Sequence, residues 1–261
     1  MRRSTKTYLA AGILIPAVVT GLAVNSMGTA NAIANGELVP EGKYRFSAKL
    51  TMTGIPTANG GKRNSGCSGA LIAPQWIITA GHCFRDENGV RVERPVADET
   101  SVSIGRADVN GTGPGHVATV VAVRQSPTAD VSIAKLDKAI TDVRPIRLSR
   151  TAPEVGAIVR VTGYGSVTST NPVPETRLRT GQMEVVSVAE SVTGLKGHAP
   201  QPDTTPCPYD SGGPYFVEGK RGPALVAVVS NGPSCPHTQV ENGARTDNIT
   251  QWVWQSIRDA R

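Results

Sequence analysis

The sequence lacks the spacings that commonly hold metal ions: no C-x-x-C and no H-E-x-x-H occurs in its 261 residues, and its four cysteines lie far apart. Those absences speak against a zinc site and leave no cofactor to expect. It also lacks any run of five like charges and any arginine-rich or aromatic-interleaved patch, so nucleic acid is not an expected partner. No internal repeat or low-complexity tract occurs. The apolar run Leu9–Val24 is broken by Pro16 and Thr20 and is shorter than the ~20 residues a membrane span requires.

That run follows a basic head, Arg2, Arg3 and Lys6, and precedes Ala30-Asn31-Ala32, the A-x-A form that a signal peptidase accepts. Residues 1–32 therefore read as a secretory signal, and an uncleaved anchor is the less economical reading. Arg2-Arg3 alone does not separate the general secretory route from the twin-arginine one. Loss of this segment removes three basic residues and no acidic one, taking the formal charge from +6 to +3. The exported chain keeps Cys67, Cys83, Cys207 and Cys235, an even number that implies disulfides; sequence alone allows three pairings.

Beyond residue 32 short apolar runs are separated by glycine and proline, as in a chain of many short strands. Tyr44, Phe46, Ala48 and Leu50 alternate with polar neighbours, and His116–Arg124, Ala157–Tyr164 and Ala224–Ser230 are β-branched runs of strand length. Only the end reads as helical. There Ile249, Trp252, Val253 and Ile257 share one face, and the pair Asp247/Asn248 is expected to cap a helix over about 247–260.

Three segments carry chemistry. "CSGALIAPQWIITAGHCF" (67–84) holds His82, "ADVSIAKL" (129–136) opens a strand with Asp130, and "PCPYDSGGPYF" (206–216) holds Ser211. A serine hydroxyl is a poor nucleophile at neutral pH. It needs a base within hydrogen-bond reach, and that base needs a third group to fix its tautomer. These segments, and their order His82, Asp130, Ser211, resemble the trypsin/chymotrypsin-like serine proteases over nearly all of residues 33–261.

The resemblance implies an all-β fold of two six-stranded antiparallel barrels, about 33–145 and 146–245, followed by the terminal helix. It implies a catalytic triad of His82, Asp130 and Ser211, disulfides Cys67–Cys83 and Cys207–Cys235, and an oxyanion hole made by the backbone N–H groups of Tyr209 and Ser211. The family's other common bridges are absent, as in its bacterial members. Cleavage after Ala32 would expose Ile33-Ala34-Asn35-Gly36, similar to the family's activation terminus, whose ammonium would pair with Asp210. By position Thr205 falls at the pocket floor, Ser230, Asn231 and Gly232 on the strand that pairs with substrate backbone, and Gly232 and Gly243 on open pocket walls. Without a carboxylate at Thr205, uncharged side chains are expected to be preferred over Lys or Arg.

Tyr209 stands where the family commonly has glycine. Tyrosine keeps the N–H but adopts φ > 0 only with strain. The expected function is a secreted serine endopeptidase acting on proteins or peptides, open to protein inhibitors and free of the membrane once the signal is gone. The alternatives are a catalytically silent homologue that binds a protein, and a serine esterase.

Overall fold

The computed structural model describes Met1 and residues 33–260. The expected signal segment lies outside the described residues, apart from Met1. Two antiparallel barrels of six strands each are followed by one helix. The first barrel closes in the order β2 (Ser47–Pro56), β3 (Lys62–Ala73), β4 (Trp76–Ala80), β7 (Val131–Leu136), β6 (His116–Gln125), β5 (Glu99–Ile104). The second is a ring of β9 (Ile158–Gly163), β10 (Arg179–Val188), β11 (Val192–Ala199), β14 (Glu241–Arg245), β13 (Ala224–Asn231) and β12 (Pro214–Val217), closed by pairing of β12 and β10 with β9. Two-residue strands lie against the second ring: β1 (Glu37–Leu38) on β10 and β8 (Arg147–Leu148) parallel to β13.

The period of two explains which side chains fill the barrels. Along β2, Ala48, Leu50 and Met52 are buried while Thr51 and Thr53 are exposed. Each such buried Leu or Met contributes roughly 1.5–3 kcal/mol. β4, at the centre of the first barrel wall, is buried throughout. The alternation does not start at Tyr44: this residue sits in a turn at φ +50, ahead of β2. Its ring leaves the first barrel and meets Phe216 of β12 edge-on at 5.1 Å, beside Phe46, which meets Phe216 at 5.3 Å. This aromatic triad joins the barrels, and Ser47 Oγ and Thr162 Oγ1 add a hydrogen bond of 2.9 Å across the same seam.

The terminal helix, α1, spans Thr250–Asp259 and buries Val253 and Ile257 against the larger core. Lys135 of β7 donates to the carbonyl of Ala260 at 2.7 Å, in the last turn, where a cation suits the helix dipole. The expected cap does not form. Asp247 is engaged by the Arg245 guanidinium at 2.8 Å and Asn248 donates to the carbonyl of Glu190, so the helix starts later, after Ile249, with no side-chain cap. Among the described residues no helix is long and apolar enough to cross a membrane.

Candidate active site

His82 lies on a 3-10 turn, Gly81–Phe84, that follows β4, and Asp130 immediately precedes β7. Because β4 and β7 pair antiparallel with Ala80 opposite Val131, the two residues are brought side by side. Asp130 holds the histidine at two points: Oδ1 accepts the His82 backbone N–H at 2.9 Å and Oδ2 lies 2.7 Å from Nδ1. Ser230, at the end of β13 in the other barrel, donates its hydroxyl to the same Oδ2 at 2.7 Å. Burial pushes the Asp130 carboxyl up, but the bonds from His82 and Ser230 outweigh burial and hold it down at about 2. An ionised carboxylate only accepts, so Nδ1 carries the proton and Nε2 is left as the basic nitrogen.

The Cys67–Cys83 disulfide ties β3 to the histidine turn, closing a loop worth about 3 kcal/mol in the chain-entropy picture. Cys207–Cys235 anchors the start of the serine loop. Within that loop Asp210 is wholly buried. Its carboxylate receives the backbone N–H groups of Gly165 at 2.7 Å, Cys207 at 3.0 Å and Ile33 at 3.4 Å. Burial nonetheless lifts this carboxyl to about 7, the backbone bonds opposing it only in part. Among the described residues no cation neutralises Asp210 while Ile33 is a peptide amide. The glycines at 163 and 165 are demanded by this residue, since a Cβ at either would lie 2.0–2.3 Å from its carboxylate.

Tyr209 adopts φ +75, the left-handed conformation that costs a non-glycine residue of order 1–3 kcal/mol. The surroundings hold it there. Its carbonyl accepts the Ser68 hydroxyl at 3.1 Å, its phenol donates to the Pro172 carbonyl at 3.3 Å, and the neighbouring Ser211 carbonyl accepts Ser68 N–H at 2.8 Å. Among the described residues neither Tyr209 N–H nor Ser211 N–H donates to another atom. Both donors are thus unengaged. The tyrosine ring walls a cavity of about 270 Å³ that Met52, Arg63, His82 and Ser211 also line.

A second cleft, of about 330 Å³, meets the first at Ser211 and is lined by Ser230, Asn231 and Gly232. Thr205 and Gly243 are not in its wall. Thr205 is fully buried and bridges Ala34, its N–H donating to the Ala34 carbonyl at 3.2 Å, because the segment at Ile33 occupies that side of the loop. Gly243 faces the barrel interior, toward Leu195, Thr193 and Ala227. The carboxylate of Glu241, which no motif signals, lines this cleft instead. Ser230 is also more than a backbone-pairing residue, since its hydroxyl completes the Asp130 site. Among the described residues no group of three His, Cys, Asp or Glu side chains could hold a metal ion.

Comparison with known proteins matches residues 33–253 to the family model described as Trypsin. Hypodermin-B of Hypoderma lineatum is 29% identical over 213 residues, covering 74% of this chain and 78% of the relative. A beta-fibrinogenase-like protein of Daboia siamensis is 26% identical over 205 residues, 74% of this chain and 77% of the relative. The solved structure of neuropsin, a serine protease expressed in the limbic system of mouse brain, superposes with a TM-score of 0.66 at 20% identity, covering 86% of this chain and 99% of its own; that likeness concerns the fold. These relatives, from Hypoderma lineatum, Daboia siamensis and mouse, are eukaryotic and give no support to the bacterial origin suggested by the missing bridges.

Proposed function

The chain belongs to the trypsin family, and from that membership we propose that it is a secreted serine endopeptidase that cleaves protein substrates through an acyl-enzyme. Ser211 Oγ attacks the scissile carbonyl and His82 Nε2 takes its proton. Asp130 keeps the imidazole in the tautomer that leaves Nε2 basic and stabilises the imidazolium that forms. The N–H groups of Tyr209 and Ser211 receive the developing oxyanion, each typically worth ~3 kcal/mol. The imidazolium then gives its proton to the leaving amine, and water repeats the sequence to release the acyl group. Export after Ala32, protein inhibitors that occupy the cleft, and an ammonium of Ile33 paired with Asp210 belong to the same reading.

The observation that carries it is the two-point grip of Asp130 on His82, at 2.9 and 2.7 Å, beside a cleft that Ser211 lines. The silent-homologue reading draws on one feature, a tyrosine held at φ +75. Against it stand the two unengaged N–H groups that the same conformation leaves available. The test is hydrolysis of a set of peptide anilides and a simple ester by the protein beginning at Ile33, with Ser211→Ala as control. Anilide turnover lost in Ser211→Ala supports the peptidase, ester turnover alone supports the esterase, and neither supports the silent homologue.

A further inference from the structure

Two cavities of about 720 and 420 Å³ lie side by side and share Pro145, Arg147 and Arg221. Neither has a lining residue in common with the clefts at Ser211. The chain that joins β7 to β9 supplies much of the shared wall, and its backbone is pinned where Ile146 N–H donates to the Leu71 carbonyl at 2.9 Å and Ser149 N–H to the Leu225 carbonyl at 2.7 Å. Ile146 and Leu148 are buried in the larger core, which leaves Arg144, Arg147 and Arg150 exposed at every third residue.

The groove is cationic. Lys43, Arg45, Arg144, Arg147, Arg150 and Arg221 line it, and its single acidic residue, Asp142, is already engaged by Arg45 at 3.1 Å and by His116 at 2.6 Å. Arg147 donates to the Gly222 carbonyl at 3.2 Å and so ties the two walls together. Among the described residues the side chains of Arg144, Arg150 and Arg221 make no hydrogen bond or ion pair. The sequence shows no run of cations because these residues come from three separate stretches that meet only in the fold.

Beneath the cations the floor is apolar. Ile72, Leu148, Val217 and Trp254 line the larger cavity, and Tyr44 and Phe46 the smaller. Charge of one sign concentrated in a cleft attracts a partner of the other sign, and the guanidinium fork matches a carboxylate. The apolar floor adds a contact that a uniformly hydrophilic polyanion cannot use.

We propose that this groove docks an acidic, extended segment of a protein partner, with its carboxylates on the arginines and one or two apolar side chains on the floor. Residues 144–150 reach at most about 20 Å, the span of about six extended residues. A partner seated there leaves the clefts at Ser211 open, so docking does not compete with the proposed catalysis.

The experiment is fluorescence anisotropy of a labelled eight-residue peptide, glutamates interrupted by one leucine and one tryptophan, with the Ser211→Ala chain beginning at Ile33. No turnover is involved, so the outcome is independent of the endopeptidase reading. The peptide should bind at least about tenfold more tightly than its counterpart with glutamine for glutamate, and more tightly than octaglutamate, and its affinity should fall as salt rises from about 50 to about 300 mM. Arg144→Glu combined with Arg221→Glu should weaken it at least about tenfold. Arg94→Glu combined with Lys196→Glu, the same charge change at exposed residues outside the groove, should leave it within about threefold. Equal binding of the glutamate and glutamine peptides, or equal losses in the two double variants, overturns the proposal. Octaglutamate, a heparin octasaccharide or vesicles of anionic phospholipid binding as tightly as the peptide would show a general polyanion surface and overturn it too. If the groove variant does not fold, a photo-crosslinking form of the peptide decides on the unaltered groove: adducts within 142–151 or 217–224 support the assignment, and adducts confined elsewhere overturn it.

Discussion

The chain with residues 1–32 attached and the chain beginning at Ile33 should lose stability over different pH ranges, and Asp210 sets the size of the difference. In the attached chain Ile33 offers Asp210 only a neutral amide N–H, at 3.4 Å, and burial lifts the carboxyl to about 7. Measured from an unfolded value of about 3.9, the shift is about three units, or up to about 4 kcal/mol. The sign follows from proton counting. A carboxyl raised in the folded state holds a proton that the unfolded chain has already released, so stability falls as pH rises from about 4 to about 7 and levels off above. Freeing Ile33 puts an ammonium at the same place, which restores a low carboxyl value and removes that loss. The amine is raised in turn. Its stabilisation is complete below its unfolded value of about 8 and disappears as pH climbs through the higher folded value. Urea unfolding from pH 4 to 10, with disulfides intact, should show the attached chain weakening between pH 4 and 7. Asp210→Asn in that chain should reduce the slope, the raised Glu241 carboxyl leaving a smaller loss common to both forms, and the Ile33 form should show its own further loss above about pH 8. Superimposable curves for the two natural forms would refute the pairing, and N-terminal sequencing of active secreted protein that finds another first residue would refute the proposed terminus.

Two substitutions probe the serine loop. Tyr209→Gly should keep or raise turnover, because glycine relieves a φ of +75 while preserving the N–H; steady-state kinetics in which it abolishes turnover would show that the tyrosine ring is needed to hold the loop. Gly163→Ala should cost roughly 1–3 kcal/mol or prevent folding, since the added Cβ would lie 2.0 Å from Asp210 Oδ1. A thermal unfolding midpoint unchanged by that substitution would mean that Asp210 is not packed as described.

The barrels were legible because their strands repeat a simple local pattern: β6 and β13 coincide with the β-branched runs starting at His116 and Ala224 to within a residue. The helix face was legible for the same reason, but its cap was not. Asp247 found a guanidinium two residues away, and an ion pair of that kind outcompetes a capping bond without leaving a trace in the sequence. The neighbours of Asp130 illustrate the division well. His82 sits in a dense motif, whereas Ser230 reaches Asp130 across 100 residues through the meeting of two barrels. Counting from Cys207 placed Thr205 at the pocket floor; the residue is fully buried, its N–H bonded to the Ala34 carbonyl, and it does not line the cleft beside Ser211. Glu241 stayed hidden because only the pairing of β13 with β14, bulge included, sets it against Gly232.

Everything proposed for the site requires Ser211 to be a working nucleophile, its base held by Asp130 and the N–H groups of Tyr209 and Ser211 free to receive the oxyanion. Reaction of the folded protein beginning at Ile33 with a fluorophosphonate, followed by intact mass and peptide sequencing, tests this directly. A single adduct on Ser211 is expected, absent from Ser211→Ala and formed much more slowly by Asp130→Asn. Folded, disulfide-intact protein that forms no adduct contradicts it.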